Sequence, residues 1–292
     1  MEIAWIGTGI MGAPMARNLM RAGHRLRLHN RTAKRAVALA ADHREASVAS
    51  DAAAAAAGAE AVFIMVPDTP DVESVLARIE PALHEGQLVI DTSTIAPAAE
   101  RAIAARLEKK GVDYLDAPVS GGESGAIDGT LTIMVGGASS AYHRALPLLE
   151  KLGRRVTHIG PAGAGQMTKL ANQIAVALTL EATAEALALA ESGGLDRTRV
   201  LEAIGAGAAG SWQLANLGPK IIARDWRPGF FIKLIRKDLR LVGEAARDGH
   251  LALPGLALMQ SMFNAAAALG HDTDGTQAIA AALERLARIE QV

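Results

Sequence analysis

The sequence predicts an α/β protein in which a doubly wound sheet is followed by a long helix and an all-helical C-terminal domain. Two observations in the 292-residue chain predict this fold class. Short apolar runs alternate with helical patterns up to about residue 162, whereas only helical periods follow it. The second part opens with a stretch rich in Ala and Leu at 164–193. We therefore predict a sheet domain over 1–162 and a helical domain over 163–292.

Seven apolar runs in the first part predict strands. The run Val62–Val66 is continuously apolar, which is typical of a strand buried on both faces of a parallel sheet. An alanine-rich run at Ala52–Ala57 predicts a helix that Ser50 caps. The seven predicted strands are Glu2–Ile6, Arg25–His29, Ala61–Val66, Leu88–Asp91, Asp113–Leu115, Leu131–Val135 and Val156–Ile159.

The second part carries one long helical stretch that the Gly193-Gly194 pair ends. Further helices follow, and their boundaries are marked by residues that interrupt helical periodicity. The predicted breaks are Gly205–Gly210, Arg227–Gly229, Asp248–Pro254 and Gly270–Gly275.

The composition favours a small-molecule partner. The chain has 30 basic and 31 acidic residues and a net charge of -1, so it lacks the charge excess expected for binding nucleic acid or an anionic membrane. No apolar run of about 18 residues and no basic leader occurs, so we expect neither a membrane partner nor export, and place the protein in the cytoplasm. Zero cysteines exclude thiolate chemistry, and scattered histidines predict no metal site.

A glycine-rich turn follows the first predicted strand and opens a helix over Met11–Ala22. This spacing is typical of Rossmann-type dinucleotide binding. The first glycine allows a tight turn, the second lets the backbone approach a pyrophosphate, and the third lets helix and strand pack closely. The helix N-terminus offers N–H groups to the anion. The sequence predicts a dinucleotide site here, and an ordinary glycine-rich turn is the alternative. The turn consists of Gly7, Thr8, Gly9, Ile10, Met11 and Gly12.

The residues after the second predicted strand favour NADP over NAD. A carboxylate at this point would bind the ribose hydroxyls of NAD and repel a 2′-phosphate. This chain instead has neutral Asn30 and then Arg31, which can bind a phosphate with two parallel hydrogen bonds. Thr32 can cap the next helix, where Lys34 adds positive charge. NADP is the predicted cofactor, with NAD as a weaker one; a solvated basic helix start is the alternative.

Hydride transfer needs a group that exchanges a proton with the reacting oxygen. A Tyr-x-x-x-Lys pair is absent, because Pro118 and Leu146 follow the two tyrosines at that spacing. Lys169 and Asn172 remain, three residues apart on one face of the long helix. A lysine on an apolar helix face is costly to bury unless it has a partner or a function. Spacing alone leaves a structural ion pair and catalysis equally open.

Two further segments carry polar groups with open interpretations. Ser120, Gly121 and Gly122 follow a strand and can present a hydroxyl and backbone N–H groups to a carboxylate, or form a tight loop. The pair Lys237-Asp238 is typical of a solvent-exposed ion pair on a helix.

Taken together, these segments resemble the β-hydroxyacid dehydrogenase family, which includes 3-hydroxyisobutyrate dehydrogenase and the tartronate, glyoxylate and succinate semialdehyde reductases. Five ordered motifs carry the resemblance along nearly the whole chain: Trp5–Ala16, Asp91–Thr94, Asp116–Gly122, Gly163–Gln173 and Lys237–Leu239.

The resemblance implies an enzyme with roles for individual residues. It implies that Lys169 is catalytic, that Asn172 acts with it, and that the Ser120–Gly122 segment and Asn172 hold a small carboxylate-bearing substrate. It also implies a homodimer or homotetramer. The residues implied to line the cofactor site are Val66, Pro67, Thr94 and Lys237.

Three departures refine the resemblance. Gln173 stands where some relatives carry a second Asn, as expected nearer the tartronate semialdehyde reductases. Relatives that use NAD tend to have a non-basic residue at the position of Arg31. Imine reductases share the fold but replace the lysine, so Lys169 argues against that activity. A non-catalytic NADP-binding regulator of the same fold is the alternative from another functional class.

Overall fold

The computed structural model describes residues 1–287, and the chain divides into two compact units, Met1–Lys169 and Leu170–Val292. The first unit contains nine strands, seven α-helices and a short 3-10 helix at Glu80–Ala82, together with the start of helix α8. The strands are β1 Glu2–Ile6, β2 Arg25–His29, β3 Ala46–Val48, β4 Ala61–Ile64, β5 Leu88–Asp91, β6 Asp113–Asp116, β7 Val119–Ser120, β8 Leu131–Gly137 and β9 Gly153–Gly160. The helices are α1 Gly12–Arg21, α2 Ala33–Ala41, α3 Ala52–Ala56, α4 Thr69–Ile79, α5 Pro97–Glu108, α6 Gly122–Asp128 and α7 Ser139–Leu149.

The strands form one sheet in the order β3-β2-β1-β4-β5-β6-β8-β7, with β9 beside β8. The six strands from β3 to β6 are parallel, and the order reverses between β1 and β4. In open α/β sheets, ligands bind outside the carboxyl ends of the strands at such a reversal. The doubly wound sheet predicted from the sequence is confirmed.

The structure adds detail that the apolar runs did not indicate. All seven predicted strands are present, but β3 and β7 are additional and have only three and two residues. Strand β8 runs antiparallel to β6 and β7, so the far side of the sheet is mixed rather than purely parallel.

Both faces of the sheet are buried. Successive side chains of a strand point to opposite faces, and those of β1 are buried on each side. Ile3 and Trp5 of β1 belong to one apolar cluster, whereas Ala4 and Ile6 belong to another. The Trp5 ring stacks on Phe63 of the adjacent β4, with centroids 5.1 Å apart. Full burial of each such large side chain stabilises the fold by about 1.5–3 kcal/mol.

Two helix caps differ from expectation. Asp51 rather than Ser50 caps α3, because its carboxylate accepts a hydrogen bond from the Ala54 N–H. Thr32 occupies the cap position of α2 but makes no side-chain hydrogen bond there.

In its described part the second unit is built from helices and has no strand beyond an isolated β-bridge between Phe231 and Gly275, as the predicted helical domain requires. Helix α8 covers Ala164–Ser192, close to the predicted 164–193, and therefore begins within the first unit. By length and composition alone it could cross a membrane, although buried core helices meet the same criterion. The helices that follow are α9 Arg197–Gly205, α10 Trp212–Ile222, α11 Ile232–Asp248, α12 Pro254–Ala266 and α13 Ile279–Leu286.

Candidate active site

The glycine turn after β1 is shaped by contacts that exclude side chains at two positions. Gly7 has φ +105°, and a Cβ there would lie 2.0 Å from the Met65 carbonyl oxygen. A Cβ on Gly12 would lie 2.1 Å from the Gly7 carbonyl oxygen, which also accepts a 2.8 Å hydrogen bond from the Trp5 indole. Only glycine fits at either position, so β1 and α1 pack closely as the motif predicts.

Gly9 differs from these two glycines because the protein itself does not require it. Apart from its two neighbours in the chain, no residue among 1–287 has an atom within 4 Å of a Cβ built on Gly9. Beside it, the Thr8 hydroxyl is buried and has no hydrogen-bond partner among the described side chains and backbone. Half-buried Ile10 and Met11 then lead into the N-terminus of α1. An open space, an unsatisfied hydroxyl and a helix N-terminus fit the pyrophosphate of a dinucleotide.

Asn30 connects the glycine turn to the loop after β2. Its Oδ1 accepts a 2.9 Å hydrogen bond from the Thr8 N–H, and its Nδ2 donates to the Thr32 carbonyl at 3.0 Å. Arg31 projects from this loop with 85% of its side chain exposed, and one guanidinium nitrogen lies 3.0 Å from Asp71 Oδ1. The loop is therefore held in place while the arginine remains accessible.

The loops after β4 and β5 lie at the same edge of the sheet, since these strands run parallel to β1. The Val66 N–H donates a 3.0 Å hydrogen bond to the Ser93 hydroxyl and so joins the two loops. Pro67 is exposed, and Val66 and Thr94 are half-buried. The structure thus brings these three predicted cofactor-site residues to the strand ends where the glycine turn also lies.

Ser120 ends β7, opposite Thr132 of β8, and the chain then turns sharply into α6. Gly121 has φ +139° and Gly122 has φ +65°, values that side-chain-bearing residues rarely adopt. The three residues are half-buried.

Asp116 anchors the first turn of α8 to the sheet. Its two carboxylate oxygens accept 2.8 Å hydrogen bonds from the backbone N–H groups of Gly163 and Gln166. A Cβ on Gly165 would lie 2.4 Å from the Met134 carbonyl oxygen, so glycine is needed for this close approach. The aspartate therefore satisfies N–H groups that the start of a helix leaves without partners.

A second contact of α8 involves buried carboxyl groups. The Gln166 amide donates to Glu100 at 2.7 Å and to the Ser93 carbonyl at 2.9 Å, and Tyr114 donates to Glu100 at 2.5 Å. Burial raises the pKa of Glu100 well above its ordinary value, and repulsion by Asp91 and Asp116 adds to the effect. Burial likewise raises the pKa of Asp91 to about 6 and that of Asp116 above its ordinary value.

Lys169 lies on the buried face of α8. Gln166, Lys169, Gln173 and Ala177 are all buried and recur every three or four residues, as one helix face requires. Lys169 is 6% exposed, and Asn172 beside this face is half-buried. A lysine that is almost fully buried on a helix face needs a partner or a function, so its burial fits both a structural ion pair and catalysis.

Lys237 and Asp238 are not the surface pair that their sequence predicts. Asp238 is 2% exposed, and its Oδ1 lies 2.6 Å from the Lys237 ammonium. Its Oδ2 accepts a 2.5 Å hydrogen bond from the Gln173 amide, and Gln173 in turn accepts one from Asn172 at 2.8 Å. The expectation of an exposed pair was wrong because α8 supplies a partner 65 positions away in the chain.

Both halves of the chain match known protein families. Residues 2–160 match the NAD binding domain of 6-phosphogluconate dehydrogenase. Residues 163–283 match the family described as NAD-binding of NADP-dependent 3-hydroxyisobutyrate dehydrogenase. The chain belongs to the β-hydroxyacid dehydrogenase family. The resemblance noted in the sequence is thereby confirmed.

Individual relatives align with this β-hydroxyacid dehydrogenase over nearly its whole length. It is 43% identical to 2-hydroxy-3-oxopropionate reductase of Escherichia coli, over 98% of each chain. It is 40% identical to an NAD-dependent L-serine dehydrogenase of Pseudomonas aeruginosa, over 90% of this chain and 91% of that one. A solved 3-hydroxyisobutyrate dehydrogenase of Mycobacterium tuberculosis, in a structure that includes L-serine, superimposes with TM-score 0.88 at 34% identity, covering 97% and 98% of the two chains.

This β-hydroxyacid dehydrogenase also contains site features that sequence reasoning missed. The sequence offered no signal for the contact of Arg31 with Asp71, or for that of Gln173 with Asp238. The aspartate that anchors α8 could have been found, because Asp116 is a polar residue at the end of a buried strand. Within residues 1–287, no group of three or more His, Asp or Glu side chains is arranged to hold a metal ion.

Proposed function

We propose that this NAD(P)-dependent oxidoreductase interconverts a short 3-hydroxy acid and its semialdehyde, with Lys169 as the proton donor and acceptor. The observation that carries the proposal is the burial of Lys169 on α8, whose first turn Asp116 and Gln166 anchor to the sheet. The bound nicotinamide supplies or accepts the hydride. Lys169 protonates the aldehyde oxygen in the reduction and takes the proton from the alcohol in the oxidation.

Binding of the substrate is assigned to two other groups of residues. We propose that Ser120, Gly121 and Gly122 bind its carboxylate, and that Asn172 orients the reacting oxygen. The positive φ values of both glycines support the first assignment, because successive unusual backbone angles can direct neighbouring N–H groups toward one anion. A group that positions the reacting atoms accelerates a reaction by removing their freedom to reorient.

The experiment is Lys169→Ala, with Lys109→Ala as the matched control at an exposed lysine of the same unit. We expect kcat to fall by about 10²–10⁴-fold for Lys169→Ala, the usual contribution of a general acid or base. NADPH binding, measured by fluorescence titration, should stay within about twofold of wild type for both variants, because neither lysine is assigned to the cofactor. Near-normal turnover of Lys169→Ala would contradict the proposal.

The substrate is identified by following NADPH absorbance with a panel of aldehydes. The panel contains 2-hydroxy-3-oxopropionate, glyoxylate, succinate semialdehyde and the semialdehyde of 3-hydroxyisobutyrate. Turnover of any one of them supports an enzyme, whereas NADPH binding without turnover of the whole panel favours the non-catalytic regulator. Assembly as a homodimer or homotetramer and location in the cytoplasm stay predictions.

We further propose that NADP is the preferred cofactor and that Arg31 binds its 2′-phosphate. An exposed guanidinium next to neutral Asn30 supports this, as do the exposed cations Lys34 and Arg35 at the start of α2. The ion pair with Asp71 opposes phosphate binding, because that carboxylate competes for the same guanidinium. An exposed pair of this kind contributes only about 0.2–1 kcal/mol, against about 1.5–3 kcal/mol for hydrogen bonds to a charged group.

Two variants with opposite expected effects test this preference. The difference of about 1–2 kcal/mol predicts that Arg31→Ala raises the KM for NADPH by about 5–30-fold and leaves the KM for NADH nearly unchanged. Asp71→Asn should lower the KM for NADPH by up to about fivefold, because it removes the competing carboxylate. Equal effects of Arg31→Ala on both cofactors would contradict the assignment of Arg31 to the phosphate.

A further inference from the structure

Four side chains of the second unit form one continuous chain of polar contacts. The Asn172 amide nitrogen donates to Gln173 Oε1 at 2.8 Å, and the Gln173 amide nitrogen donates to Asp238 Oδ2 at 2.5 Å. Asp238 Oδ1 lies 2.6 Å from the Lys237 ammonium. Gln173 and Asp238 are each 2% exposed, so water does not compete for these contacts.

The direction of every hydrogen bond in this chain follows from the carboxylate at Asp238. An ionised carboxylate only accepts hydrogen bonds, so the Gln173 amide must present its NH₂ group to it. The Gln173 carbonyl oxygen then points to Asn172, which must present its own NH₂ group in reply. Each amide has one orientation that satisfies its neighbour, and turning either by 180° would set donor against donor or acceptor against acceptor.

We propose that Gln173 is a positioning residue that holds the Asn172 amide in one orientation for the reaction. This inference rests on the proposed function, in which Asn172 orients the reacting oxygen. Gln173 itself contacts neither substrate nor cofactor in this proposal. Its length and its amide polarity both matter, because it must accept from Asn172 while it donates to Asp238.

The fixed direction of these hydrogen bonds predicts that two damaging substitutions, Gln173→Glu and Asp238→Asn, compensate for each other. In Gln173→Glu, two carboxylates face each other at the 2.5 Å contact. In Asp238→Asn, the new amide either turns Gln173 around or sets its own NH₂ group against the Lys237 ammonium. In the double variant, the carboxylate introduced at position 173 accepts from Asn172 and from the amide introduced at position 238, whose oxygen still accepts from Lys237. The net charge is that of the wild type, and every donor again meets an acceptor.

The experiment compares kcat and KM of Q173E, D238N and the double variant Q173E/D238N. We expect each single variant to lose at least about tenfold in kcat, with the KM for NADPH changed far less, because orientation of the reacting oxygen affects turnover. The double variant should exceed both single variants in kcat by about tenfold. A double variant no more active than the better single variant would overturn the proposal. Because the double variant is judged against the better of the two single variants, the test still holds if the other single variant folds poorly.

Two controls separate this inference from the function on which it rests. Glu244→Gln removes one carboxylate from the same helix α11 and should leave kcat unchanged, so it measures the effect of charge alone. Lys169→Ala and Asn172→Ala test the proposed function itself. If both keep full turnover, the proposed function fails; if both lose turnover while the double variant does not recover, only the role of Gln173 fails.

Discussion

Replacing Asp91 by Asn should change how the stability of the protein depends on pH. Asp91 is fully buried at the end of β5 and accepts a 2.8 Å hydrogen bond from the Ser93 N–H through Oδ1. Burial is the main reason that its pKa rises to about 6 from 3.8, and repulsion by Asp116 contributes.

The sign of the effect follows from this raised pKa. The folded protein binds the Asp91 proton more tightly than the unfolded chain does, so the free energy of unfolding falls as pH rises from about 4 to about 6. A difference of about 2 pKa units corresponds to a loss of about 3 kcal/mol above that window. About 2 kcal/mol of this loss lies between pH 4.5 and pH 8.

Asn cannot ionise, so Asp91→Asn lacks this loss. Its new NH₂ group costs about 1–3 kcal/mol if it finds no acceptor, but that cost is the same at every pH. The stability of the variant relative to wild type should therefore improve between pH 4.5 and pH 8 by about 2 kcal/mol or more, because the substitution also removes the repulsion by Asp91 that raises the pKa of Glu100.

The assay is urea unfolding at both pH values, followed by the fluorescence of Trp5, which lies in the same unit. Phe replaces Trp212 and Trp226 in all proteins compared, so that Trp5 is the only indole. Asp42→Asn is the control for loss of one exposed carboxylate. An equal difference between variant and wild type at pH 4.5 and pH 8 would refute the reasoning, because it would mean that Asp91 titrates alike in the folded and unfolded chains.

Three further predictions follow from individual contacts. Gly9→Ala should leave the melting temperature unchanged but weaken NADPH binding by at least about tenfold, because its Cβ would occupy the open space proposed for the cofactor. Gly12→Ala should lower both the melting temperature and the affinity for NADPH, because its Cβ would meet the Gly7 carbonyl oxygen. Asp116→Ala should lower the melting temperature and kcat, since it releases the first turn of α8, whereas an unchanged kcat would argue against anchoring of Lys169. Burial, with repulsion by Glu185, raises the pKa of Glu181 to about 7, so Glu181→Gln should raise the melting temperature more at pH 8.5 than at pH 5.5; an equal effect at both pH values would contradict this cause.

Much of the fold was predictable because its signals are local. Three patterns each indicate an element or its end within a few neighbouring residues. They are the apolar run Val62–Val66, the glycine turn after β1, and the Gly193-Gly194 pair that ends α8. Strands β3 and β7 were missed because two or three residues show no periodicity, and their pairing partners alone make them strands. Asp51 rather than Ser50 caps α3 because one residue of register decides which side chain reaches the first turn.

The sequence by itself determined the candidate site residues: a turn typical of dinucleotide binding with glycines at 7, 9 and 12, a basic residue at Arg31, and a lysine on an apolar helix face. Only the tertiary structure decided what those residues contact. Asp71 meets Arg31 from 40 positions away, and Asp238 meets Gln173 from 65. Such partners come from separate elements whose approach depends on packing of the whole unit, and no pattern of neighbouring residues records that approach.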